Sequence, residues 1–339
     1  MPVTDPAGPR FPTYADLRSR EGFPPGSSWG VFGDDAENGT LNFLTPERVR
    51  AAAGCVRRGA VFNLDYPLDA FPGPVRFRPN PEHHVYYVDA RSPLPHGRTD
   101  EPTAILDDYV DSFAPQGSSH VDGLRHAIHP VHGLYGGISA ERILGGEPAL
   151  GIDRWAERGI AGRGVLVDVA GYREAQGRPL DHLASEVYGI DLVEEILAAQ
   201  GTEVRRGDMV VLRTDYPRHV WEHADDDAAA FRSAGLAKTY DVVSWLWDNQ
   251  VALLACDNIA IEPVGTLAFS EPSEFGEGRE GMLHSQLIPL LGLVLGELWK
   301  LDDLAADCAA DGVYEFLLVV KPLNLPGGCG SPANATAIK

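Results

Sequence analysis

Residues 116–126 read Gln-Gly-Ser-Ser-His-Val-Asp-Gly-Leu-Arg-His, and no other stretch constrains the chain as much. Small residues surround two imidazoles and a carboxylate, His120, Asp122 and His126, with an amide at Gln116. Side chains alternate faces along a strand, so Gln116, His120 and Asp122 would share one side of an extended segment. On a helix, His120 and Asp122 would diverge by roughly 200°. The spacing therefore predicts extended backbone through Asp122. A helical turn after it would bring Asp122 and His126, four apart, onto one face. Imidazole and carboxylate together suit borderline divalent metals such as zinc or manganese. The competing reading is a structural His–Asp hydrogen bond, with Gln116 an ordinary surface amide.

The rest of the chain reads as irregularly alternating helices and strands. Thr45 and Pro46 mark a helix start, as N-cap and first helical residue, and that helix should run to about Val56. Strands are predicted at residues 61–65, 164–170, 209–214, 251–256, 293–295 and 313–320, with 260–261 a possible continuation. Residues 105–113 and 118–122 also look extended. Helices are predicted at 152–159, 191–200, 240–249, 283–291 and 301–310, Gly292 ending the fourth. Residues 71–100 lack periodicity and read as a long loop, a length that in a compact domain is usually functional. Residues 1–28, rich in Pro, Gly and charge, read as an extended N-terminal arm, leaving 29–339 as one domain. No Gly-x-Gly-x-x-Gly follows an apparent strand and no phosphate-binding Gly-x-x-x-x-Gly-Lys motif appears, so a nucleotide fold is not indicated.

Composition excludes several partners. A net charge of −21 argues against nucleic acid and against anionic membrane surfaces. The longest apolar run falls short of the roughly 18 residues that span a bilayer. The N-terminus has neither the basic start nor the apolar core of a signal peptide. The four cysteines, Cys55, Cys256, Cys308 and Cys329, are widely spaced. They read as reduced thiols of a cytoplasmic protein.

The 116–126 stretch resembles the metal-binding signature of the cyclase family, which includes bacterial kynurenine formamidase and isatin hydrolase. That signature is His-x-Gly-Thr-His-x-Asp-x-Pro-x-His. His120, Asp122 and His126 match its second His, its Asp and its last His. Ser118, Ser119 and Leu124 stand where Gly, Thr and Pro are usual, and Gln116 replaces the first His. The run from His284 to Glu297 looks like the family's later block. Residues 314–323 and 327–332 resemble its closing strand and glycine-rich end. Residues 164–169, 208–213 and 256–262 also fit, as do 29–35 and 39–42 for the longer members.

The resemblance implies an α/β fold: a compact single domain with a β-rich, barrel-like centre flanked by helices. It implies homo-oligomers, dimer or tetramer, and a small-molecule substrate. It further implies a divalent cofactor, Zn or Mn, at Gln116, His120 and Asp122, with His126 as the catalytic acid–base group. His284 and Glu297 are thirteen apart and would diverge by about 220° on one helix. The break at Gly292 lets them converge from a helix and a strand end. Within the resemblance they become second-metal ligands or acid groups facing the substrate. Arg213, after a buried strand, is a candidate bidentate clamp for a substrate carboxylate.

The remaining polar clusters rank lower. His83–His84 and His129/His132 lie in loops that can reach a site. His219 and His223 read as a solvated face, residues 225–227 as surface charge, and Trp221, Trp245 and Trp247 as packing. The expected activity is metal-dependent hydrolysis of an amide, lactam or lactone. The alternatives are a dehydrating or isomerising cyclase or lyase on the same scaffold, or a non-catalytic protein with a degraded metal site. A serine hydrolase is disfavoured: Ser118, Ser119 and His120 are present, but no Gly-x-Ser-x-Gly elbow is expected anywhere in the chain.

Overall fold

The computed structural model describes residues 11–71, 78–94, 98–100, 105–265 and 273–339. Nine strands form one curled half-barrel sheet. In spatial order they are β1 (Val61–Asn63), β13 (Thr336–Ile338), β11 (Glu315–Val320), β5 (Ile160–Asp168), β7 (Met209–Arg213), β9 (Leu253–Cys256), β10 (Val294–Glu297), β4 (His120–Asp122) and β12 (Gly330–Pro332). The central four, β5, β7, β9 and β10, run parallel. All outer pairings are antiparallel.

The composition of each strand matches its place. Strands β9 and β10 are buried along their whole length, and β7 is buried up to Arg213. Such runs read as continuous Val and Leu because a parallel sheet is covered on both faces. Strand β11, nearer the edge, alternates between buried and half-buried positions. Helices Ile190–Gln200, Tyr240–Asp248 and Asp302–Asp311 pack their apolar stripes against this centre. Thr45 caps the helix Pro46–Ala52, its side chain accepting from the Arg48 N–H, and one 3₁₀ turn, Ala53–Cys55, carries the segment on.

Two expectations need correction. The segment read as a loop at 71–100 contributes a strand, β2 (Glu82–Tyr87), paired antiparallel with β3 (Leu106–Asp111). Val85, Tyr87, Leu106 and Val110 on it are exposed, so it lacks the one-sided apolar pattern that marks a half-buried strand. Residues 72–77 and 95–97 of that expected loop lie outside the described residues. Residues 260–261 do not continue β9. A further short parallel pair joins β6 (Val187–Tyr188) to β8 (Gly235–Leu236).

Residues 1–10 of the expected arm also lie outside the described residues. The part from Phe11 onward is packed. Helix Tyr14–Ser19 carries a capping box between Thr13 and Asp16. Leu17 is fully buried in the main core, and the Tyr14 N–H donates to Asp248 on the helix Tyr240–Asp248. Truncating a fully buried Leu typically costs about 2–5 kcal/mol. Leu17→Ala should therefore lower the unfolding free energy by that amount in urea titrations. A loss under about 0.5 kcal/mol would mean that the segment is a surface appendage.

Candidate metal centre

Register builds the site. In the antiparallel pairing of β4 with β10, His120 lies directly opposite Glu297 and Asp122 opposite Leu295. Directly opposed residues project to the same face, and His120 and Asp122 share that face by alternation. One ligand atom from each of His120, Asp122 and Glu297 lies within 4.8 Å of the other two. All three side chains are buried.

The backbone around them is tightly fixed. The Trp299 indole N–H donates to the His120 carbonyl (2.9 Å). Ser119 Oγ donates to the Leu298 carbonyl and accepts from the Tyr66 N–H (2.9 Å). Ser118 Oγ donates to the Pro67 carbonyl (2.8 Å). Gly296 lets β10 approach β9, since a Cβ there would lie 2.8 Å from the Ala255 methyl and from the Trp299 ring.

Second partners fix the imidazoles. His120 Nδ1 lies 2.8 Å from the Ser118 carbonyl and must donate to it, which leaves Nε2 as a lone pair. That Nε2 is 3.4 Å from Glu297 Oε2 and 3.6 Å from Asp122 Oδ1. His284, on the helix Leu283–Gln286, presents Nε2 to Glu297 Oε1 at 3.0 Å. Its Nδ1 lies 2.8 Å from Glu262 Oε2. A π-helical turn, Leu287–Leu291, follows, and Gly292 ends it at φ 68° before the chain enters β10. His284 and Glu297 thus meet from a helix and a strand end.

The donor set fits a cation. His120 Nε2, both Asp122 carboxylate oxygens and Glu297 Oε1 are buried without an aligned hydrogen bond. One ligand atom from each side chain lies within 4.8 Å of the others, so their lone pairs converge on shared space. Leaving buried carboxylate oxygens unpartnered is costly, and a shared divalent ion removes that cost. Burial would raise the Glu297 carboxyl, but the imidazoles of His284 and His120 hold it down to about 2. Burial also presses on His120, yet Asp122 and Glu297 outweigh it and raise its pKa.

His126 sits at the rim, about a quarter exposed. A turn closed by its N–H on the Gly123 carbonyl (2.9 Å) brings Nδ1 to 3.5 Å from Asp122 Oδ1. Burial lowers its pKa despite the pull of Asp122, so the ring is neutral near pH 7. The Gln116 amide nitrogen lies 3.1 Å from the same Nδ1.

Other sequence candidates lie elsewhere. The Arg213 guanidinium faces Asp168 (3.0 Å), Asp302 (2.9 Å) and Asp215 (3.3 Å). A substrate carboxylate would have to displace these three partners, so its placement lends the clamp no support. His83 and His84 pair with Asp108 and Asp111 on the exposed hairpin. His219 is not on a solvated face. It is buried, donates from Nε2 to the Ala229 carbonyl (2.9 Å) and lies tilted against the rings of His182 and His223. These rings line a separate cavity of about 500 Å³. Gly26-Ser27-Ser28-Trp29-Gly30 does match Gly-x-Ser-x-Gly. Ser28 is fully buried, however, donates to the Leu291 carbonyl and contacts the Tyr135 hydroxyl, so it is no nucleophile elbow.

Two residues near the site escaped sequence reasoning. Glu262, beyond the end of β9, had no role assigned, and only the fold shows it under His284. Arg78 donates to the Gln116 carbonyl (2.9 Å). Burial lowers its pKa while the charges of Asp122 and Glu297 counteract that, which places a cation beside the carboxylates.

Asp122→Asn removes the charge that both His120 and His126 face. Zinc or manganese affinity, measured by titration and elemental analysis, should fall by more than the roughly 10–100-fold typical of an outer-shell change. Unchanged affinity would remove Asp122 from the ligand set.

Comparison with known proteins places the fold in a family. The family model described as "Putative cyclase" matches residues 63–263. A solved structure described as a novel cyclase is 32% identical, with a TM-score of 0.77, covering 92% of this chain and 99% of that one. Isatin hydrolase A from Labrenzia aggregata, bound to benzyl benzoate, shares the fold at 15% identity and TM-score 0.53, covering 84% and 94%. Isatin hydrolase A from Ralstonia solanacearum does so at 15% and 0.53, covering 87% and 98%. No curated protein matches the chain. With the family model spanning more than half of its length and a full-length relative at 32% identity, the chain belongs to the cyclase family.

Proposed function

We propose that this protein is a metal-dependent hydrolase opening an amide, lactam or lactone bond in a small cyclic or aryl substrate. The observation that carries this reading is the buried trio His120, Asp122 and Glu297 with its unpartnered, converging lone pairs. These residues would hold a zinc or manganese ion, with His284 Nε2 beside Glu297 completing the polar wall. Such an ion supplies Lewis-acid polarisation of a carbonyl and lowers the pKa of water to about 7.

The chain's own residues do the rest. The Ser118 carbonyl and the Glu262 carboxylate orient His120 and His284. His126, partly exposed at the rim, is the acid–base or hydrogen-bonding group facing the reacting atom. Two isatin hydrolases share the fold, and one was solved bound to benzyl benzoate, an ester. Among the described residues no helix is long and apolar enough to cross a membrane.

A cyclase or lyase reaction is the second reading, favoured by the 32%-identical structure described as a cyclase. Product mass separates the two. A panel of N-formyl aryl amines, cyclic imides and unsaturated lactones should contain a compound that gains one water on turnover. If every active compound instead loses water or keeps its mass, the cyclase or lyase reading replaces hydrolysis. On the active compound, His126→Ala should lower turnover by about 10²–10⁴ while metal content stays intact. Loss of metal in that variant would make His126 a ligand instead.

A further inference from the structure

Strand alternation would put Gln116 beside His120 and Asp122, but the strand does not reach it. Gly117 N–H closes a turn on the Ala114 carbonyl (2.9 Å), and β4 begins only at His120. Arg78 anchors the Gln116 backbone carbonyl from outside. The side chain then lies over Gly330, the residue opposite Asp122 on β12. A Cβ at position 330 would stand 2.8 Å from the Gln116 amide nitrogen and 3.0 Å from its Cδ. The missing side chain therefore makes room for the amide, which ends 3.1 Å from His126 Nδ1.

We infer that Gln116 is a positioning residue for His126: its amide N–H holds Nδ1, keeps the ring proton on Nε2, and leaves metal binding to His120, Asp122 and Glu297. A neutral imidazole carries one N–H, so an Nδ1 that accepts requires a protonated Nε2. Asp122 Oδ1, at 3.5 Å, competes by drawing the proton onto Nδ1, but it lies farther away than the amide. His126 then meets a substrate as a donor. In the hydrolysis proposed above, on which this assignment rests, that form suits a hydrogen bond from Nε2–H to a carbonyl or leaving oxygen or nitrogen as negative charge develops there. The Nε2–H bond stays intact, and the leaving atom takes its proton from the attacking water.

Selective ¹⁵N-histidine labelling of the zinc-loaded protein tests this without a substrate. The His126 resonances are assigned by their loss in His126→Gln. The wild-type ring should show a protonated Nε2 and an unprotonated, hydrogen-bonded Nδ1. In Gln116→Glu the carboxylate can only accept, so the proton should move to Nδ1. In Gln116→Leu the single tautomer should give way to a mixture, while zinc affinity, measured by chelator competition, changes less than about tenfold. A protonated Nδ1 in the wild type, or a loss of zinc affinity beyond about tenfold in Gln116→Leu, overturns the assignment. If the wild type takes up no zinc yet shows the Nε2–H tautomer and its dependence on Gln116, the metal reading fails and the positioning role stands.

Discussion

The pairing of β4 with β10 is the constraint on which the site depends. It is an antiparallel seam at the margin of a parallel sheet, and it sets His120 directly across from Glu297. A slip of one residue would turn the acidic and imidazole side chains to the opposite face. Several contacts hold the seam in register: Trp299 on the His120 carbonyl, Ser119 on the Leu298 carbonyl, and the bare Gly296 against β9. The ladder that builds the core therefore also sets the geometry of the cluster.

The electrostatics follow from that burial. In a chain of net charge −21, Asp122 and Glu297 are among the few carboxylates held away from water. Their nearest partners are the imidazole nitrogens of His120 and His284 and, beyond them, the guanidinium of Arg78. Arg213 plays a different part. It ties the ends of β5 and β7 to the helix Asp302–Asp311 through Asp168 and Asp302. Asp215, next to it, holds a left-handed φ of 63°, and the buried Asp257 accepts its N–H (2.7 Å). Charge at this end of the sheet organises backbone, whereas charge at the β4–β10 seam is left open.

How much of this was legible in the sequence depends on the range of the interaction. The extended backbone at His120 and Asp122 follows from period-two spacing, and the buried strands of the sheet centre from their Val and Leu runs. The closeness of His284 and Glu297 to His120 is a long-range fact. It entered only through the family resemblance, because no local pattern encodes the register of β4 with β10. Gln116 shows where alternation fails: the turn at Ala114–Gly117 redirects the chain before the strand starts. Glu262 and Arg78 act from irregular segments, where no periodicity applies. His219 was misread because the acidic run after it looks solvated, while the ring itself turns inward to the Ala229 carbonyl.

The central claim is that His120, Asp122 and Glu297 surround one cation. Anomalous diffraction from crystals grown with manganese, and separately with zinc, tests it most directly, with data on both sides of each absorption edge. A peak within bonding distance of His120 Nε2, an Asp122 oxygen and a Glu297 oxygen, at about 2.0–2.2 Å for zinc, is the predicted result. Well-ordered side chains with no peak between them, at metal concentrations that saturate the protein, would contradict it.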